Sequence, residues 1–98
     1  MKYSLHFIEE ARLDIKEAFQ WYDSKLPELG NSFLDSLYKS LEVIERNPYQ
    51  YQIQLRSIRK AVLKRFPYLV IFTIKGQRVI VLGVIHSSRN PTVWKKRT

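Results

Sequence analysis

Tyr68-Leu69-Val70-Ile71-Phe72-Thr73-Ile74-Lys75-Gly76-Gln77-Arg78-Val79-Ile80-Val81-Leu82-Gly83-Val84-Ile85-His86 is the stretch that decides the architecture. Two apolar, β-branched runs flank Gly76-Gln77, which is the pattern of a β-hairpin. From Val79 to Ile85 both alternating sets of positions are apolar. A strand of that kind is covered on both faces and belongs in the middle of a sheet.

Upstream of the hairpin, Ile58 to Lys64 reads as a further strand, interrupted by Phe66-Pro67. Residues 49–57 alternate apolar with polar and are read mostly as the crossing back to the sheet. At the start of the chain Tyr3, Leu5 and Phe7 alternate with Lys2, Ser4 and His6, giving a short strand with one apolar face. The period then changes. Ile8, Ala11, Ile15, Ala18, Phe19, Tyr22 and Leu26 recur at three- and four-residue steps, the stripe of an amphipathic helix. Glu9 and Glu10 in its first turn suit the helix dipole. Leu26-Pro27-Glu28-Leu29-Gly30 breaks the helix. A second stripe, Phe33, Leu34, Leu37, Leu41 and Ile44, ends at Asn47-Pro48, because the residue before proline resists the helical region. The short connection makes the two helices an antiparallel hairpin. The expected order is β-α-α-β-β-β: an α+β fold in which the helical hairpin packs on one face of a small, mostly antiparallel sheet. The other face should be covered less completely. Residues 87–98 read as a polar, basic tail.

Charge divides the chain in two. Residues 1–45 carry nine carboxylates and five lysines or arginines, whereas 46–98 carry twelve lysines or arginines and no carboxylate. The second half therefore suits a polyanion or an acidic protein partner. Ninety-eight residues imply one domain, over 1–98. With no cysteine there is neither a disulfide framework nor a thiolate zinc site. The two histidines lie eighty positions apart, and the three glycines form no phosphate loop, so neither a metal nor a cofactor is expected. No apolar run reaches membrane-spanning length, and the expectation is a cytoplasmic protein without a membrane partner.

Several residue groups could carry chemistry. His86 closes a buried-looking strand three residues before Arg89. An imidazole there can serve as general acid or base, with Arg89 stabilising charge on a phosphate. It can equally cap the strand end by bonding to backbone. Arg56, Arg59, Lys60, Lys64 and Arg65 form the densest basic cluster. They suit phosphate contacts, the carboxylates of an acidic protein partner, or an edge strand whose charges oppose aggregation. Tyr68 can stack on a base or simply pack beside Pro67. Trp94 with Lys95, Lys96 and Arg97 offers an aromatic and cationic anchor, or a frayed end.

Taken together, the order of elements, Glu9-Glu10-Ala11-Arg12-Leu13-Asp14-Ile15 opening the first helix, and Leu29-Gly30 before Phe33-Leu34 resemble the RelE/ParE toxin superfamily. So do Arg65-Phe66-Pro67-Tyr68 and Val84-Ile85-His86-Ser87-Ser88-Arg89-Asn90-Pro91. The resemblance covers essentially the whole chain. It implies the toxin of a type II toxin–antitoxin module, neutralised by a cognate antitoxin whose complex can bind operator DNA. It also implies one of two targets. A ParE-like toxin, towards which the long helical hairpin points, inhibits DNA gyrase. A RelE-like toxin is a metal-independent endoribonuclease that cuts mRNA on the ribosome. In the second case Arg65, His86 and Arg89 would be catalytic. For either, Arg56, Arg59, Lys60, Lys64, Tyr68, Trp94 and Lys95 are the expected target- or antitoxin-binding residues.

Overall fold

The computed structural model describes residues 2–97. Strand β1 (Ser4–Phe7) leads into helix α1 (Glu9–Lys25) and helix α2 (Leu29–Arg46). A 3₁₀ turn (Pro48–Gln50), β2 (Ile53–Leu55), β3 (Ile58–Val62), β4 (Tyr68–Lys75), β5 (Arg78–His86) and a one-turn helix α3 (Thr92–Lys95) follow. The strand order is β1-β5-β4-β3-β2. β1 runs parallel to β5, and every other pair is antiparallel. This is the expected α+β architecture, with the hairpin of β4 and β5 at its centre.

Three details differ from the sequence expectation. Ile53–Leu55 forms an edge strand, because its alternating residues pair with β3 through Ile53 opposite Arg59 and Leu55 opposite Ile58. β3 ends at Val62, where the chain turns away before Phe66-Pro67. The tail is not frayed over its described residues. Trp94 is only 6% exposed, packed with Ile58, Ile71, Leu82 and Ile85 on the sheet face opposite the long helices. The indole's apolar area outweighs the polarity of its neighbours.

The helical hairpin is held from inside. Ala11 and Ala18 of α1 and Phe33, Leu37, Leu41 and Ile44 of α2 pack on Ala61, Val70, Phe72, Val79, Val81 and Val84. The backbone N–H of Gly30 donates to Asp23 Oδ1 at 3.3 Å, so a side chain of α1 caps the start of α2. At Gly30 the helices meet so closely that a Cβ would lie 2.8 Å from the Phe19 ring.

A bulge in β5 fixes the functional end of the sheet. Gly83 lies opposite Ile71 and Val81 opposite Phe72, which leaves Leu82 as the extra residue. The insertion switches the alternation. Val79 and Val81 face the long helices before it, and Val84 does so after it, while Leu82 and Ile85 join Trp94 on the far face. Both faces of β5 are thereby filled.

Candidate functional site

The paired ends of β4 and β5 place Tyr68 opposite His86. Their rings meet edge to face with centroids 5.2 Å apart. Behind Tyr68 stands an aromatic cluster. Its ring centroid lies 5.1 Å from that of Phe33 and 6.0 Å from that of Tyr22, and Phe66 closes the group at 4.9 Å from Tyr22. The ring is thus anchored in the core while its edge looks outward. Here an open cleft of about 260 Å³ is lined by Asp14, Glu17, Ala18, Trp21, Tyr68, His86 and Arg89. A second groove of about 270 Å³, lined by Phe7, Arg12, Ile15, Tyr38 and Leu41, has neither a carboxylate nor an imidazole. The chemistry-bearing groups therefore gather in the first.

His86 is held by its own turn. The backbone N–H of Ser88 donates to His86 Nδ1 at 3.1 Å, and the Ser88 hydroxyl lies 2.8 Å from the same nitrogen. A backbone N–H can only donate, so Nδ1 is the acceptor and the neutral ring carries its proton on Nε2. The ring consequently offers a hydrogen-bond donor. The Arg89 N–H in turn donates to the His86 carbonyl at 2.9 Å, closing the turn that carries its exposed guanidinium.

The cleft has mixed charge. Burial pushes the Tyr68 hydroxyl above the ordinary tyrosine range. Tyr22 adds to the rise, Arg89 opposes it, and Asp14 and Glu17 raise it further. A hydroxyl kept protonated in this way is a stable donor at neutral pH. Asp14 is paired with Arg97, whose guanidinium donates to both carboxylate oxygens. Trp21, 57% exposed, presents an indole face on which the Lys25 ammonium sits 4.0 Å from the ring centroid. Among the described residues no group of three or more histidines, cysteines or carboxylates is arranged so that it could hold a metal ion.

The residues singled out from sequence fall in several places. Tyr68, His86 and Arg89 share the cleft, and Arg65 is not among its lining residues. Arg65 and Arg56 both occupy left-handed backbone, at φ 75° and 53°, in the turns at either end of β3. Arg59 is tied down. It donates to the Tyr51 carbonyl at 2.7 Å and the Tyr49 carbonyl at 3.3 Å, which pins the 3₁₀ turn to the sheet. Lys60 is half-buried on β3, while Lys64 and Lys95 are exposed. Trp94 is removed from the surface by the packing described above, which corrects its assignment as an exposed anchor. Sequence reasoning missed Asp14, Glu17 and Trp21 as partners of His86 and Arg89. Their spacing of three and then four residues on α1 was the available signal, since it puts all three on one helix face. Trp21, near the end of α1, stands open rather than packed into the helical hairpin.

The comparison with curated protein sequences returned no match. Solved structures share the fold at low identity. The chromosomal ParDE toxin–antitoxin system of P. aeruginosa matches with a TM-score of 0.77 and 18% identity, over 87% of this chain and 96% of that one. The intact E. coli RelBE toxin–antitoxin complex matches with a TM-score of 0.67 and 20% identity, over 89% and 99%. The RelBE2 toxin–antitoxin complex of Mycobacterium tuberculosis matches with a TM-score of 0.60 and 20% identity, over 88% and 99%. The model of the ParE toxin of the type II toxin–antitoxin system parDE matches residues 5–91. With nearly the whole chain matched, this protein belongs to the ParE toxin family of type II toxin–antitoxin systems.

Proposed function

We propose that this toxin acts by binding rather than by cutting, that its target is DNA gyrase, and that a cognate antitoxin holds it inactive. The observation that carries the reading is the state of His86. General-base catalysis needs a free imidazole lone pair, and general-acid catalysis needs a ring protonated on both nitrogens. Here the Ser88 N–H occupies the Nδ1 lone pair and the proton sits on Nε2. In that state the ring offers a hydrogen-bond donor at Nε2 and has its Nδ1 lone pair engaged. Tyr68 and Arg89 beside it are also donors. A cleft of three donors with an exposed indole at its rim is suited to gripping a protein group. Supercoiling by purified gyrase, with and without antitoxin-free toxin, tests the reading.

The ribosome-dependent endoribonuclease is the second reading. It is favoured by one observation, the convergence of Tyr68, His86 and Arg89 in a single cleft. It requires the turn at Ser88 to open so that His86 can exchange protons, and it must bring in Arg65 from outside the cleft.

For the antitoxin, the basic half offers both charge and apolar area. Ile53, Leu55 and Val62 are exposed on β2 and β3, flanked by Arg56 and Lys64. An acidic, partly apolar segment would neutralise the charge and cover the edge strand. The antitoxin complex, rather than the toxin alone, is the proposed ligand of operator DNA.

A further inference from the structure

We infer that the sheet face opposite the long helices is a docking surface for duplex DNA, which it holds through phosphates and without regard to sequence. The inference goes beyond the gyrase reading and does not depend on it. It starts from the separation of charge. All nine acidic side chains lie in α1, α2 and the turn between them, and none lies on a strand or on α3. Pairing shows which cations face away from the helices. Val70 and Phe72 of β4 pack under the helical hairpin, whereas Ile71 packs with Trp94 on the far face. Alternation places Thr73 and Lys75 on that face with Ile71. Lys60 stands opposite Ile71, and Arg78 opposite Lys75, so both join them. A fourth cation comes from α3. Trp94 turns inward onto Leu82 and Ile85, and Lys96, two residues on, is rotated about 200° away from it and exposed. Arg97 is not among them: it pairs with Asp14 and donates to the Leu82 carbonyl of the bulge at 3.1 Å. Among the described residues, none of Lys60, Lys75, Arg78 and Lys96 is in an ion pair.

Three features select the occupant. The exposed apolar side chains of the sheet, Ile53, Leu55 and Val62, lie on β2 and β3. The half built by β4, β5 and β1 gives a protein partner no such anchor, and protein interfaces are held by buried anchors. A phosphate backbone needs none, because released counterions drive its binding. Stacking is also missing. Trp94, the aromatic side chain on this face, is only 6% exposed, so a single strand finds no ring on which to lay its bases. The third feature is spacing. Arg78 and Ile85 lie seven positions apart on β5, about 20 Å of strand, with Lys96 beyond Trp94 at the Ile85 end. That spread exceeds the roughly 12 Å width of the major groove, so the cations can meet phosphates on both of its banks. The β2 edge assigned to the antitoxin is separate from this half. A toxin in that complex would therefore strengthen the grip on DNA and leave the choice of sequence to the antitoxin.

The test is fluorescence anisotropy of a labelled duplex of about 20 base pairs and arbitrary sequence, two helical turns, titrated with the full antitoxin-free chain over a range of salt. Two charge-matched variants are compared. Lys75→Gln/Arg78→Gln strips the sheet face, and Lys16→Gln/Lys39→Gln takes the same charge from exposed positions on the helices. The first should weaken binding about tenfold at low salt and lower the slope of log affinity against log salt by about two. The second should stay within about threefold of the wild type. Equal losses in the two variants would show that net charge alone attracts the DNA and would overturn the inference. So would a wild type that leaves the duplex unbound, or one that prefers a single strand or polyglutamate to the duplex. A second readout needs no variant. Amide shifts of the wild type on adding the duplex should gather at Lys60, at Lys75 to Arg78 and at Lys96. Shifts confined to the β2 edge or to the cleft of Tyr68 and His86 would contradict the surface. Neither readout involves gyrase, so the inference and the proposed target fail separately.

Discussion

Ser88 and His86 are joined twice, through the Ser88 backbone N–H and its hydroxyl, both on the same imidazole nitrogen. The relationship engages the Nδ1 lone pair and leaves the Nε2 N–H of His86 as a hydrogen-bond donor. A glutamine at this position also carries an N–H donor. His86→Gln should therefore retain growth inhibition within about threefold, whereas loss of a general acid or base lowers activity by about 10²–10⁴-fold. Growth curves under graded expression, normalised to soluble toxin, check this.

The two long helices approach tightly at Gly30, where added volume meets the Phe19 ring at 2.8 Å and the Phe19 carbonyl at 2.9 Å. The carbonyl cannot move without disturbing α1. Gly30→Ala should destabilise the fold by about 1–3 kcal/mol, despite alanine's better helix propensity. Urea denaturation followed by circular dichroism gives the number.

Tyr22, Tyr51 and Tyr68 all have hydroxyls pushed above the ordinary tyrosine value of 10.0, chiefly by burial. The folded state therefore holds these protons more tightly than the unfolded chain. Their contribution is intact below pH 10 and is lost as pH rises through the folded-state values. Thermal stability should be flat with respect to these groups at neutral pH and fall at alkaline pH. The Tyr68→Phe variant should show a shallower alkaline decline than the wild type.

The docking surface proposed for the antitoxin is exposed and basic. Its attraction for an acidic segment is screened by salt. Affinity should weaken between low and high ionic strength in calorimetric titrations. Equal affinities at the two extremes would place the docking surface elsewhere.

Much of this molecule is written in local pattern. The hairpin from Tyr68 to His86 and the stripes of α1 and α2 follow from apolar periodicity, and each appears as an element of the fold. The bulge at Leu82 does not. Val79–Ile85 is apolar throughout, and a run without polar punctuation hides a shift of one residue. The pairing of Asp14 with Arg97 spans 83 positions and depends on that bulge, so no local signal announces it. Arg59 illustrates the opposite limit. Its charge suggested a binding surface, but its geometry is spent on the carbonyls of Tyr49 and Tyr51. For the cleft, His86, Arg89 and Tyr68 were legible as candidates because their residue types carry chemistry. Asp14 and Glu17 fall outside the apolar stripe of α1, and facing solvent and facing a cleft share one periodicity.

The central claim, a toxin that binds gyrase and does not cut RNA, is tested most directly by supercoiling of relaxed plasmid. The assay compares purified gyrase with and without antitoxin-free protein. Inhibition that persists in the His86→Gln variant is the predicted result. Undisturbed supercoiling at stoichiometric excess of folded toxin, with A-site cleavage of mRNA on ribosomes, would contradict it.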